Sequence, residues 1–210
     1  MLFSFREITF NTGIGLSREV SLSGEVDSGE ALVVRGPSGA GKSSLIRILA
    51  RLQECVSGEA FLKGESWRRI PGTEWRSQVH YVAQKPVIFN GSVADNLSKP
   101  FETRINNIKN FNTDRAKDIM DQLLLDPVLW DQDAKTLSGG EAARLAIVRS
   151  LLLDPMVLIL DEPSAALDGT SQKALYGVLS KWLTNNEKAA ILVSHNNDYG
   201  ELRKISFLDI

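Results

Sequence analysis

The sequence lacks the features typical of secreted, membrane-spanning and nucleic-acid-binding proteins. Cys55 is the single cysteine in 210 residues, which excludes an internal disulfide and fits a reducing compartment. No apolar stretch approaches the roughly 20 residues that a helix needs to cross a bilayer, and the first residues do not resemble a signal peptide. The 24 basic and 26 acidic residues are mixed along the chain, so no nucleic-acid partner is expected. These absences favour a cytoplasmic location and a single domain over residues 1–210.

The strongest pattern present follows the apolar run at residues 31–34 and reads G-x-x-x-x-G-K-S. Its members are Gly36, Pro37, Ser38, Gly39, Ala40, Gly41, Lys42 and Ser43. Glycines allow the phosphates of a nucleotide to approach backbone N–H groups, Lys42 supplies positive charge, and the Ser43 hydroxyl suits Mg²⁺. A helical pattern from Ser44 adds a favourable N-terminal dipole. The pattern predicts a phosphate-binding loop, called here the phosphate loop (residues 36–43).

The hydrophobic periodicity predicts an α/β fold. Alternation at residues 2–10 and 16–26 indicates antiparallel strands, and residues 57–64 are expected to form a short edge strand. Apolar runs at 31–35, 78–83, 156–160, 189–193 and 205–210 are typical of strands in a parallel sheet covered on both faces. Helices are predicted at 44–49, 113–125, 141–153 and 172–183, and residues 85–136 are interpreted as a helical insertion.

Polar residues follow the predicted parallel strands, at the edge where doubly wound sheets bind ligands. Asp161 and Glu162 come directly after a buried strand: the first is placed to support Mg²⁺ and the second to face an attacking water. The alternative is that both carboxylates are simply a solvated strand end. His195 follows another strand and, taken alone, is more often structural than catalytic.

Six segments in this order resemble the nucleotide-binding domain of ABC ATPases. They are residues 36–43, Gln84 after a strand, residues 137–141 (Leu-Ser-Gly-Gly-Glu), residues 160–163 (Leu-Asp-Glu-Pro), residues 164–168 and Ser194-His195. The resemblance covers essentially the whole chain. It implies an α/β P-loop NTPase core of the RecA-like type at 1–84 and 138–210, with an N-terminal antiparallel β-subdomain and an inserted α-helical subdomain at about 85–137.

The resemblance also implies a homodimer in which two ATP molecules lie between the copies. Each ATP would contact residues 36–44 of one copy and the signature (residues 137–141) of the other, through Ser138, Gly139, Gly140 and Glu141. From the residues alone, the signature is only a flexible turn before a helix, although a glycine-rich helix N-terminus is a suitable anion site.

Individual roles follow from the same resemblance. Lys42 would neutralise charge on the β- and γ-phosphates, while Ser43 and Gln84 hold Mg²⁺ and Asp161 supports the ion. We therefore expect ATP and Mg²⁺ as cofactors.

The remaining roles concern hydrolysis and the adenine ring. Glu162 would polarise the attacking water, His195 would contact the γ-phosphate in the closed state, and Asp168 would lie in a loop that contacts the other copy. Phe10 is the best candidate for an aromatic platform under adenine, with core packing as the alternative.

Two functions remain open at this stage. The first is the ATPase subunit of an ABC transporter that serves a separate membrane permease from the inner face of the cell membrane, with a weaker resemblance to small ATPases of metal or iron exporters. The second is an ABC ATPase that serves a non-transport assembly, such as iron–sulfur cluster biogenesis or cell division. A permease is expected to contact the cleft near residues 84–97.

Overall fold

The computed structural model describes residues 1–12, 18–106, 110–185, 187–194 and 199–210. Its strands are β1 (Phe3–Thr12), β2 (Arg18–Val26), β3 (Ala31–Arg35), β4 (Ser57–Leu62), β5 (Glu65–Ser66), β6 (Val79–Val82), β7 (Val157–Asp161), β8 (Ala189–Val193) and β9 (Ile205–Asp209). Its α-helices are α1 (Lys42–Leu49), α2 (Gly72–Gln78), α3 (Val93–Ser98), α4 (Thr113–Gln122), α5 (Gly139–Leu152) and α6 (Gly169–Leu183).

A five-stranded parallel sheet in the order β6-β7-β8-β3-β9 forms the centre of the fold. Its strands are the five apolar runs that the sequence predicted. Because all five run in the same direction, the loops that follow β3, β6, β7 and β8 leave from one edge of the sheet. The α/β prediction is confirmed.

The apolar runs are continuous because each face of this sheet is buried against a different layer. Along β7, Leu158 and Leu160 belong to the core shared with α4, α5 and α6. Val157 and Ile159 belong to the core shared with α1 and the antiparallel sheet. Alternate side chains of a strand point to opposite faces. A strand that is covered on both faces therefore carries apolar residues at successive positions.

The second sheet is antiparallel, with the order β2-β1-β4-β5. Pairing of β1 with β2 confirms the antiparallel strands predicted at residues 2–10 and 16–26. The expectation that residues 57–64 form an edge strand is wrong, because the two-residue strand β5 pairs with β4 on the side away from β1. Lys63 and Gly64 make the turn between them and both have positive φ, 52° and 80°.

The predicted helices are present, and their ends are set by local hydrogen bonds. Helix α4 ends at Gln122, before Leu124 with its positive φ of 54°, and so is shorter than predicted. Helix α6 begins at Gly169, three residues earlier than predicted, because the Asp168 side chain accepts a hydrogen bond from the Ser171 N–H and caps it. Among the described residues, none of the helices has the length and apolar character that a bilayer crossing requires.

Candidate nucleotide site

The phosphate loop connects the end of β3 to the start of α1. Pro37, Ser38 and Gly39 are exposed. Gly39 and Gly41 have φ of 80° and 103°, in the left-handed region that L side chains adopt only with strain. A Cβ at Gly41 would lie 2.5 Å from Cγ2 of Thr12 on β1, so this glycine is also required for close packing.

The first turn of α1 is free to bind an anion. Gly41 is the N-cap, and no side chain caps the helix. The free N–H groups and the helix dipole attract negative charge at this point. Lys42, at the start of the helix, is 6% exposed and donates its Nζ to the carbonyl oxygens of Gly36 (2.8 Å) and Pro37 (2.9 Å). The loop therefore holds a buried cation beside the backbone N–H groups of the first helical turn, which no side chain caps among the described residues.

Ser43 and Asp161 join the phosphate loop to the end of β7. The Ser43 hydroxyl lies 3.0 Å from Oδ1 of Asp161, and that carboxylate is 2% exposed. The Tyr81 hydroxyl donates to Oδ2 of Asp161 at 2.9 Å. Burial raises the pKa of Tyr81, so the phenol stays protonated as a donor at neutral pH. A hydroxyl and a carboxylate are oxygen ligands suited to Mg²⁺.

Glu162 is the next residue and is held differently. Its φ is 48°, an uncommon value for a non-glycine residue, and its N–H donates to the carbonyl of Val193 on β8 at 3.0 Å. The Gln84 amide, after β6, donates to Oε2 of Glu162 at 2.7 Å. Strained backbone of this kind is concentrated at functional sites. The structure thus brings the predicted Glu162 and Gln84 together at the sheet edge.

The signature residues form the N-terminus of α5. Ser138 and Glu141 make a reciprocal capping box: the Ser138 hydroxyl and N–H donate to Oε2 of Glu141, and the Glu141 N–H donates to the Ser138 hydroxyl oxygen. The hydrogen bond from the Ser138 hydroxyl has the larger effect, and together with the bond from the Ser138 N–H it holds the pKa of Glu141 below its ordinary value. Ser138 and Gly139 are exposed. Within the described residues, no hydrogen bond joins this turn to the phosphate loop of the same chain.

Gly140 and Arg144 connect α5 to the segment that carries Asp168. A Cβ at Gly140 would lie 3.0 Å from the Ala166 carbonyl oxygen. Nη1 of Arg144 donates to the Ser171 hydroxyl at 2.8 Å, and the Ser171 N–H donates to Oδ1 of Asp168. Backbone N–H donation from Ser171 lowers the pKa of Asp168. A movement of the signature would therefore change the position of Asp168 through these contacts.

One predicted residue, Phe10, does not join this arrangement. Phe10 is 2% exposed and packs in the core of the antiparallel sheet and α1, which favours the core alternative over an adenine platform. The burial has a simple cause, since Phe10 faces the α1 side of its strand and its ring edge approaches Gly41. His195 lies outside the described residues.

Sequence reasoning missed Tyr81 and Arg47, which contact the site. Arg47 donates its Nε to the Tyr81 hydroxyl at 3.3 Å. A signal existed in the sequence: Tyr81 is a polar-tipped aromatic residue in the predicted strand that ends near Gln84, and such a residue usually finds a hydrogen-bond partner when it is buried.

A protein-family model described as ABC transporter matches residues 20–165, more than half of the chain. The chain belongs to the ABC transporter family. The predictions of the family, the fold class and an ATPase are confirmed.

The similar proteins differ in how much of their own length this chain covers. This cassette is 33% identical over 173 residues to the "Probable iron export ATP-binding protein FetA" of Escherichia coli, covering 81% of this chain and 75% of that protein. A bacterial Atm1-family ABC exporter with ATP bound has a TM-score of 0.82 and 25% identity, over 99% of this chain and 37% of that one. The dimeric cassette MJ0796 has a TM-score of 0.81 and 21% identity, over 99% and 94%.

We predict that Gly41→Ala destabilises the cassette more than Gly39→Ala. Both positions have positive φ, which costs an L residue about 1–2 kcal/mol. A Cβ at position 41 would also lie 2.8 Å from Cε2 of Phe10 as well as against Thr12, whereas a Cβ at position 39 would meet no described atom within 4 Å. Overpacking adds about 1–3 kcal/mol. Urea unfolding without nucleotide measures the difference; equal free energies of unfolding would contradict the packing argument.

Proposed function

We propose that this chain is the ATP-hydrolysing subunit of an ABC transporter, that it works as a homodimer around two ATP molecules, and that it drives a separate integral membrane permease from the inner face of the membrane. The observation that best supports this proposal is that the chain holds two exposed turns at helix N-termini suited to anions, the phosphate loop and the signature. No hydrogen bond joins these two turns among the described residues. Each turn suits one side of a nucleotide phosphate.

The phosphate loop and α1 supply the first side. Residues 36–44 offer backbone N–H groups to the phosphates, and Lys42 exchanges the carbonyls of Gly36 and Pro37 for phosphate oxygens. Ser43, Asp161 and Gln84 would hold Mg²⁺, and their hydroxyl, carboxylate and amide oxygens fit a hard cation. Bound there, Mg²⁺ neutralises charge on the phosphates during transfer.

Glu162 would act on the attacking water. It directly follows Asp161, the proposed metal ligand at the end of β7, and its backbone has a positive φ of 48°. Gln84 already holds Oε2 of Glu162, so a turn of the Gln84 amide towards Mg²⁺ would release that oxygen to accept a proton from water. His195 is proposed to contact the γ-phosphate.

The signature of a second copy would supply the other side. Ser138 and Gly139 are exposed, and Gly139 and Gly140 carry no side chain that would keep a phosphate from the α5 N–H groups. The dimeric structure of MJ0796, which shares this fold, was solved as a pair of cassettes. ATP binding would then close the pair and loss of the γ-phosphate would open it, which is a ligand-biased two-state switch.

A groove between α2, β6 and the region after α3 supports permease docking. It has a volume of about 720 Å³, and its lining includes Phe89 and Ile105, which are 39% and 37% exposed. Arg149 also lines it, with its guanidinium 4.9 Å from the Phe89 ring centre. Exposed apolar side chains gathered in one concave surface are typical of an interaction site.

The charge of this groove favours an acidic group on the permease segment. Burial lowers the pKa of Arg149, and its Nη1 is buried without a hydrogen-bond partner among the described residues. Arg76 adds positive charge, whereas Lys99 and Glu102 neutralise each other in an ion pair at 2.9 Å. A carboxylate from the permease would pair with Arg149.

Residues 85–137 are proposed as the helical subdomain that carries one wall of this groove, with 1–84 and 138–210 as the catalytic core.

We predict that Glu162→Gln lowers ATP hydrolysis by about 10²–10⁴-fold, the usual contribution of a general base. ATP binding should persist, and a nucleotide-bound dimer should accumulate in size-exclusion chromatography. Glu187→Gln, at an exposed residue paired with Lys63, is the matched control and should leave hydrolysis unchanged. Wild-type turnover by the Glu162→Gln variant would remove Glu162 from the catalytic role.

We predict that Ser138→Arg abolishes hydrolysis while the monomer still binds ATP with wild-type affinity. A long cationic side chain would fill the space that the second copy's phosphate needs, but it leaves the phosphate loop intact. Ser138→Ala is the control for the lost cap, which costs about 1 kcal/mol of stability. Isothermal titration and a phosphate-release assay separate the two effects; loss of both binding and hydrolysis would mean that the signature supports folding.

We predict that Phe89→Asp prevents capture of a multi-span membrane protein by the affinity-tagged cassette from detergent-solubilised membranes of its own host. The introduced carboxylate would lie beside the Arg149 guanidinium, which is 4.9 Å from the Phe89 ring centre, and would compete with the acidic group of the permease for that cation while removing the apolar contact. Val128→Asp, at a residue 78% exposed and outside the groove lining, is the control and should retain capture. Capture of a cluster scaffold or cell-division protein instead of a membrane protein would favour the non-transport alternative.

A further inference from the structure

Tyr81 lies on β6 beside the strand that carries Asp161. In the parallel register Tyr81 is opposite Ile159, so Asp161 is two residues further along β7 and on the same face. The Tyr81 ring is half-buried against the core shared with α1. This placement allows the phenol to extend along the sheet to the carboxylate at the strand end.

The two oxygens of Asp161 have separate donors. Oδ1 accepts from Ser43 at 3.0 Å, and Oδ2 accepts from Tyr81 at 2.9 Å. With one donor on each oxygen, rotation of the Asp161 carboxylate, whose residue is 2% exposed, would break two hydrogen bonds. Tyr81 thus opposes the movement that would take Oδ1 away from Ser43.

Arg47 completes the arrangement from α1. It is four residues after Ser43, so the two side chains lie on the same face of the helix one turn apart. Its Nε donates to the Tyr81 hydroxyl at 3.3 Å, which directs the phenol proton towards Asp161. Three hydrogen bonds therefore link Ser43, Asp161, Tyr81 and Arg47 in a row, and they connect β6 and β7 to the first turns of α1.

We propose that Tyr81, oriented by Arg47, is a positioning residue that fixes the Asp161 carboxylate relative to the Ser43 hydroxyl for divalent-cation binding with ATP. The inference rests on the proposed nucleotide function and adds a supporting pair to it. Groups that orient a metal ligand change metal affinity by about 10–100-fold when removed. A tyrosine that only filled the core would have no such effect.

The test is Tyr81→Phe, which removes only the hydroxyl. Mn²⁺ binding in the presence of ATP, followed by electron paramagnetic resonance, should weaken by about tenfold or more. ATP binding in EDTA, measured by titration calorimetry, should stay within about twofold of wild type, because the phosphate loop is unchanged. The Mg²⁺ concentration for half-maximal hydrolysis should rise in parallel.

Three further variants make the result specific. Tyr176→Phe removes another buried phenol hydrogen bond, to Ser164 at 3.3 Å, and should leave Mn²⁺ affinity unchanged. Arg47→Met keeps the length of the side chain and should weaken Mn²⁺ binding in the same direction as Tyr81→Phe, with partial recovery in Arg47→Lys. If Tyr81→Phe does not fold, the Arg47 variants decide the question.

The outcomes separate this inference from the proposed function. Unchanged Mn²⁺ affinity in folded Tyr81→Phe, or equal losses with and without metal, would overturn the positioning role while the wild-type ATPase stands. A wild-type protein that binds no ATP with or without Mn²⁺ would overturn the proposed function itself.

Discussion

The hydrogen bond between Ser43 and Asp161 is the contact on which the nucleotide site depends. It joins the first turn of α1, the helix after β3, to the end of β7. In the sheet, β8 lies between β3 and β7. Without this contact the phosphate loop would be an anion site alone, and the carboxylate would be a solvated strand end. Together they place a hydroxyl and a carboxylate at one point, and both are oxygen donors suited to the Mg²⁺ ion proposed above.

That contact requires the parallel sheet to be rigid. Burial of alternate side chains on both faces gives the sheet two independent cores, one against α1 and the antiparallel sheet and one against α5 and α6. Close packing on both sides leaves little freedom for the strand ends. Polar residues at those ends, such as Asp161 and Glu162, are therefore held in fixed relative positions although they are joined to a loop.

The signature and the groove lie on other parts of the chain and connect to the same rigid sheet. The N-terminus of α5 is linked through Arg144 and Ser171 to the cap at Asp168, which follows the Glu162 segment. Further along α5, Arg149 donates to the Val87 carbonyl beyond Gln84. One helix thus contacts both the segment after β7 and the segment after β6, so a movement of α5 would reach the Glu162 and Gln84 segments together.

The sequence by itself determined the local elements of this protein: the phosphate loop, the apolar strands with carboxylates at one end, the glycine-rich turn before α5 and the family to which they belong. These follow from backbone conformation and hydrophobic periodicity within short stretches. Only the tertiary structure decided which polar side chains meet. Gln84 and Glu162 are 78 residues apart, Tyr81 and Asp161 are 80 apart, and Ser43 and Asp161 are 118 apart. Periodicity likewise did not show that β5 pairs beyond β4 or that Phe10 points into the core, because pairing and burial depend on residues distant in the chain.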